Sequence, residues 1–157
     1  MSSFDTSLVT KMTEMFLSCK ELKTLNLSNF NTSLVTDMSS MFSNVFAEII
    51  NVTNFNTSLV ENMNNMFSKD QGDEKLLPYI NGSKPPEKQE IIGLANFDTS
   101  KVTSMALMFG FSVGLTSLDL SNFNTSLVQS MDSMFQKCIS LKYLDISNFN
   151  LNNIYIL

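Results

Sequence analysis

The sequence predicts an α/β solenoid in which each 26-residue turn contributes one parallel strand and one short helix. Three observations carry that expectation. A thirteen-residue segment of the form F-[DN]-T-S-x-V-x-x-M-x-x-M-F begins at Phe4 and returns at Phe30, Phe55, Phe97 and Phe123, with a further copy opening at Phe149. A second segment, L-x-x-L-x-L-S-N-F, leads into the Phe, most clearly at 22–30, 115–123 and 141–149. The two segments also differ in hydrophobic period. Self-similarity at a fixed spacing settles the architecture before any window is scored for helix or strand, and here the starts lie 26, 25, 42, 26 and 26 residues apart.

In the first element of each unit the apolar residues alternate. Leu25 and Leu27 face one way while Thr24, Asn26 and Ser28 face the other, as a half-buried strand requires. In V-x-x-M-x-x-M-F the apolar residues fall at i, i+3, i+6 and i+7, which matches one face of a helix of about two turns. The Asp or Asn and the Thr-Ser just before it supply side-chain oxygens for the open N–H groups of that helix. Ten of the eleven Met occupy the two Met positions, and eleven of the thirteen Phe occupy the two Phe positions, leaving Phe46 and Phe111 outside the pattern. Met-rich surfaces serve promiscuous binding, but Met held at one register of a repeat reads as core.

Such units come in stacks because one cannot fold alone. About seven apolar side chains per unit contribute roughly 1.5–3 kcal/mol each on burial, whereas ordering each backbone costs roughly 1–2 kcal/mol. Stability then belongs to the array and its interfaces. The same spacing separates the cysteines: Cys19 and Cys138 are four turns apart, about 19 Å at 4.8 Å per strand, beyond the reach of a disulfide. Both read as small core thiols.

One stretch breaks the rhythm. Residues 69–90 hold all three Pro, two of five Gly and nine of the 25 charged residues, so they are expected to leave the stack as a surface loop. That loop is either a tolerated insertion or a binding loop with Leu76, Leu77, Tyr79 and Ile80 as its apolar tip. The chain as a whole reads as a single repeat domain, 1–157, of about five repeats, incomplete at both ends and without a polar capping unit at either.

Composition narrows the function. The chain has 157 residues, 43% hydrophobic and 16% charged, with no His, no Trp, ten Lys, no Arg and a net charge of −5. Without His there is no Ser-His-Asp or Cys-His pair and no imidazole ligand. Two Cys cannot make a four-thiolate zinc site. An acidic chain lacking Arg is a poor match for nucleic acid. No cofactor is implied, and no apolar run reaches the 18 residues of a membrane span.

These residues resemble the leucine-rich repeats, and within them the BspA-like surface proteins, whose 26-residue unit reads close to L-x-x-L-D-L-S-N-F-D-T-S-N-V-T-x-M-x-x-M-F-x-x-C. Cys19 and Cys138 stand at the Cys position of that unit, which Val45, Asp70 and Ser112 take elsewhere. Departures concentrate in the middle, where Ala47, Ile50 and Val52 replace the Leu positions and where Gln89 precedes Ile92 and Leu94. The resemblance implies a non-enzymatic module at the cell surface or secreted, recognising a protein or host ligand through its concave sheet. No export signal precedes Phe4, so a piece of a longer exported protein, an intracellular scaffold and a degenerate gene fragment all remain as alternatives. Exposed terminal strands also permit end-to-end self-association.

The candidate binding face is the outward side of the strands: Thr24, Ile49, Ile91, Ser117 and Tyr143 in one row, then Asn26, Asn51, Gly93, Asp119 and Asp145 in the next. It lacks the Trp and Arg anchors that concentrate binding energy. Asp119 and Asp145 fall at the same position of consecutive units and could form a carboxylate pair, but no acid–base partner accompanies them.

Overall fold

The computed structural model describes residues 4–83 and 87–155. Each unit contributes one short strand. β1 (Thr24–Leu25), β2 (Ile49–Asn51) and β3 (Glu90–Ile92) form one parallel sheet in that order, and β4 (Ser117–Asp119) and β5 (Tyr143–Asp145) form a second. Register is set by which residues face the core. Thr24 pairs with Ile49 and Leu25 with Ile50, and likewise Ser117 with Tyr143 and Leu118 with Leu144. On the far side of the units a second set of parallel bridges runs through Lys11, Asp37, Asn62, Ser104 and Ser130.

The segment expected to be a two-turn helix is not helical. Residues 12–19 and their equivalents form consecutive β-turns instead. The Met15 N–H donates to the Met12 carbonyl at 3.4 Å and the Cys19 N–H to the Phe16 carbonyl at 3.1 Å, with Glu14 and Ser18 at φ 59° and 57°. An i→i+3 bond with positive φ at the third residue marks a type II turn. Every second N–H points to the next unit: Met12 donates to Asp37, Glu14 to Ser39, Phe16 to Met41 and Ser18 to Ser43, at 2.9–3.0 Å. A helix spends its N–H groups on itself, whereas this backbone shares half of them between units. An eight-residue helix is marginal in water, and Thr, Ser, Asn and Asp are indifferent helix formers. Nine non-glycine residues with positive φ accumulate among the described residues, including Leu107 and Phe111. Each such conformation costs roughly 1–2 kcal/mol, which the bonds between units offset.

The polar half of the motif has its own work. The Asp or Asn after the first Phe accepts the N–H of the Ser two residues on, as in Asn31 with Ser33 and Asn124 with Ser126, both at 3.0 Å. The Thr between them is buried and bridges to the next unit. Thr32 Oγ1 donates to the Asn56 carbonyl at 2.9 Å and accepts the Asn56 N–H at 2.8 Å. Thr6, Thr57, Thr99 and Thr125 repeat that pair of bonds.

Inside, the second Phe of each unit forms a stacked column, Phe16–Phe42–Phe67–Phe109–Phe135, with centroids 5.4–6.0 Å apart and planes within 9° of parallel. Met38, Met41, Met63, Met66, Met105 and Met108 are fully buried beside it. Cys19 and Cys138 are free and half-buried. Burial pushes the Cys138 thiol up to about 11, and its Sγ donates to the Phe109 carbonyl at 3.1 Å.

Residues 69–83 and 87–90 leave the repeat pattern, but they fold back onto it. A four-residue helix, α1 (Leu77–Ile80), follows the fully buried Leu76. Leu76 packs with Phe111 and Val113, and Phe46, Tyr79, Ile80 and Leu107 surround them. Of the expected apolar tip, Leu77 alone is left largely exposed, at 47%. Phe46 and Phe111, the two Phe outside the motif, are the floor on which the segment sits. Lys20 pairs with the buried Asp73 carboxylate at 2.8 Å, and Lys75 pairs with Glu21. Lys69 goes inward: its Nζ donates to the Phe67 carbonyl at 3.1 Å and lies 5.7 Å from the centre of the Phe46 ring. Burial pulls that amine down to about 7.

Candidate functional site

The outward side of the strands presents two rows. Thr24, Ile49, Glu90, Ser117 and Tyr143 form one, and Asn26, Asn51, Ile92, Asp119 and Asp145 the other. Thr24, Asn26, Ile49, Asn51, Ser117, Asp119 and Tyr143 are exposed and Asp145 is half-buried. Ile91 and Gly93, expected outward, are not in these rows. β3 pairs one residue out of step, Ile49 with Glu90 and Ile50 with Ile91, so Ile91 turns toward the core and Ile92 outward.

The slip has a local cause. Gln89 stands where other units begin their apolar pattern, and its side chain is consumed in the core by the carbonyls of Val45 and Ala47 at 3.2 and 2.9 Å. The extra residue is absorbed at Gly93, with φ 104° ahead of a 3-10 turn at Leu94–Asn96. A Cβ there would fall 2.4 Å from the Thr53 nitrogen, so no larger residue fits. By Leu94 the unit is back in step, with the Phe97 N–H on the Leu94 carbonyl at 3.0 Å as in the other units. The polar Gln89 at an apolar position was the available signal.

The polar residues of the second row are tethered. Asn26 Oδ1 accepts the Ser28 N–H, Asn51 Oδ1 the Thr53 N–H, Asp119 Oδ1 the Ser121 N–H and Asp145 Oδ1 the Ser147 N–H, at 2.9–3.0 Å. These Asx turns close each strand. The Ser147 backbone and side-chain bonds hold the Asp145 carboxyl below its usual range. The Tyr143 hydroxyl donates to Asp145 Oδ2 at 3.3 Å, and the adjacent Asp145 charge pushes its ionisation up. Asp119 and Asp145 are register neighbours, each an acceptor in a turn. The face therefore offers fixed acceptors between the apolar side chains of Ile49, Ile92 and Tyr143, which are 43%, 37% and 52% exposed.

No group of three or more His, Cys, Asp or Glu among the described residues is placed to hold a metal ion. No helix among them is long and apolar enough to cross a membrane.

The sequence matches the family described as "Mycoplasma protein of unknown function, DUF285" over residues 1–76 and again over 83–156. The chain belongs to this family. It carries the family's tandem-repeat module twice, and the interval between the two matches, 77–82, falls inside the segment that departs from the repeat. No curated protein and no solved structure matches the chain significantly.

Proposed function

We propose that this DUF285 chain is a non-enzymatic protein-interaction module, a leucine-rich-repeat-type solenoid of the BspA-like surface class, which binds a protein ligand on the outward side of its strands. The observation that carries the reading is the pair of rows across successive units, in which exposed Ile49, Ile92 and Tyr143 alternate with turn-tethered Asn and Asp. Isolated apolar side chains set among fixed acceptors suit a moderate, multivalent contact, because each unit adds a similar increment. The carboxylates are committed to turns on an open sheet, which favours binding over catalysis. The surface or secreted location belongs to the same proposal.

Purified chain is tested against immobilised extracellular-matrix proteins by surface plasmon resonance. The reading requires that Ile49→Glu or Tyr143→Ala weaken any interaction found, and that Lys101→Glu, exposed outside these strands, leave it unchanged. Equal binding by all three variants would sink it.

A second contact surface is proposed at the two outermost described units. Phe4, Leu8 and Leu17 are exposed at one, and Leu144, Ile146 and Tyr155 at the other. β1 and β5 each pair on one side. Head-to-tail association of copies follows, and a sedimentation coefficient independent of concentration would contradict it.

A further inference from the structure

The strand face is interrupted once, between β3 and β4. The two share a single bridge, Gln89 with Leu115, where the Gln89 N–H donates to the Gly114 carbonyl at 3.0 Å. Beyond β3 the Asn122 amide closes the gap again, donating to the carbonyls of Leu94, Ala95 and Phe97 at 3.0–3.2 Å. Between these pins no backbone hydrogen bond among the described residues joins 90–93 to 116–119. The opening is a groove of about 320 Å³, at the small end of ligand-binding cavities.

Backbone groups line it. Alternate residues of a strand direct their N–H and C=O to opposite neighbours. The Glu90 N–H and Ile92 C=O are bonded on the β2 side, to Glu48 and Val52 at 2.8 Å, so Ile91 faces the gap. On β4, where Leu118 pairs toward β5, Ser117 and Asp119 face it from the opposite side. Unpaired strand edges are ready donors and acceptors for an incoming chain. The charge of the groove selects which chain. Glu90 and Asp119 stand on its two sides, and Asp145 is the register neighbour of Asp119 on β5. Among the described residues Lys88 is the one cation of the lining, its Nζ 4.0 Å from the Glu90 carboxylate. Asp119 spends Oδ1 on Ser121 and keeps Oδ2 for a ligand.

We propose that this split is the specificity pocket of the protein-binding face, taking an arginine side chain from a loop of the protein ligand. A guanidinium offers five N–H donors in one plane, which suits carbonyls at a strand edge flanked by two carboxylates. The inference rests on the strand face being the binding surface.

The test uses the isotopically labelled full chain, titrated by NMR with a capped glycine-serine peptide carrying one arginine, and with the same peptide carrying glutamine there. The arginine peptide is expected to shift the amide signals of Ile91, Ser117 and Asp119, and to bind about tenfold tighter than the glutamine peptide. Glu90→Gln with Asp119→Asn should remove that advantage. Asp119→Asn keeps the turn, because Asn26 and Asn51 make the same bond in their units, so loss of binding reports the charge and not the fold. Equal shifts from both peptides, or an unchanged titration of the double variant, would overturn the pocket. A matrix protein sensitive to Tyr143→Ala but indifferent to the double variant would reject the pocket and keep the face. Arginine-dependent shifts with no matrix protein bound would keep the pocket and reject the adhesive role.

Discussion

β4 and β5 sit in register, with consecutive units superposing residue on residue, whereas β3, after the 69–90 segment, pairs one residue out of step. Both regions use the same motif, and both keep the Phe and Met columns. What differs is a handful of contacts at the strand: Gln89 buried in place of an apolar side chain, Gly93 bent to positive φ, and Gly114 so close to the returning segment that a Cβ would lie 2.0 Å from the Glu87 carbonyl. The core therefore dictates the stacking, and the strand edge yields first when a unit carries extra chain. The cost of that yielding is a sheet divided in two.

The largest perturbation should ignore the distinction. Met66 is fully buried at the centre of the columns, and Met66→Lys places an unpaired charge there, with an expected loss of about 3–5 kcal/mol. Hydrogen exchange should show lost protection in units on both sides of it; a loss confined to 55–67 would mean that the units are energetically independent. A smaller effect should respect the distinction. Gly93→Val forces a side chain against Thr53 and is expected to cost roughly 1–3 kcal/mol, with protection lost at β2 and β3 and retained at β4 and β5.

A third test uses the buried amine of the irregular region. Lys69 has a native pKa of about 7, against an ordinary value of 10.5. Between those values the unfolded chain holds a proton that the folded chain does not, so stability rises with pH across that window, by at most about 1.4 kcal/mol per pH unit. Below pH 7 both forms are protonated and the full penalty of the buried charge is present. Urea midpoints should therefore climb as pH is raised above 7, and Lys69→Met should be more stable at neutral pH and lose that climb; an unchanged slope would remove Lys69 as its source. The smallest effects belong to the two ion pairs that hold the segment down. Lys20→Ala strands the Asp73 carboxylate, whose side chain is 1% exposed, and should lower the urea midpoint, though by less than Gly93→Val does. Glu21→Gln, at an exposed partner of Lys75, should leave the urea midpoint unchanged.

Much of this was legible in the residues. The alternation at Leu25 and Leu27 placed the strands, and the fixed spacing of Met and Phe marked the buried columns. The turn chain was not legible, because V-x-x-M-x-x-M-F puts the same residues inward whether the backbone is a helix or consecutive type II turns. Side-chain periodicity does not say where an N–H donates, and the positive φ of Glu14, Leu107 and Phe111 is carried by residues that advertise no such preference. The Thr, one of the several residues expected to supply cap oxygens, is a bridge between units, since its partner lies 24 to 41 residues away. In the regular units the residues expected to face outward lie in register with one another, and in the β3 unit they are displaced by one. Counting back from Phe97 assumes equal path length, and Gly93 breaks that assumption.

The threonine bridge carries a consequence for how such a gene changes length. Each Thr hydroxyl meets the backbone of the following unit and no particular side chain of it, so any unit can follow any other. A block of about 26 codons can therefore be duplicated or deleted by recombination and still leave consecutive units bonded to one another. Units 1 to 3 have forfeited that freedom, because Lys20, Phe46 and Val45 are tied to Asp73, Lys69 and Gln89. Length variants should arise by gain or loss of units after residue 123, beyond the Phe111, Val113 and Gly114 contacts that hold the irregular segment.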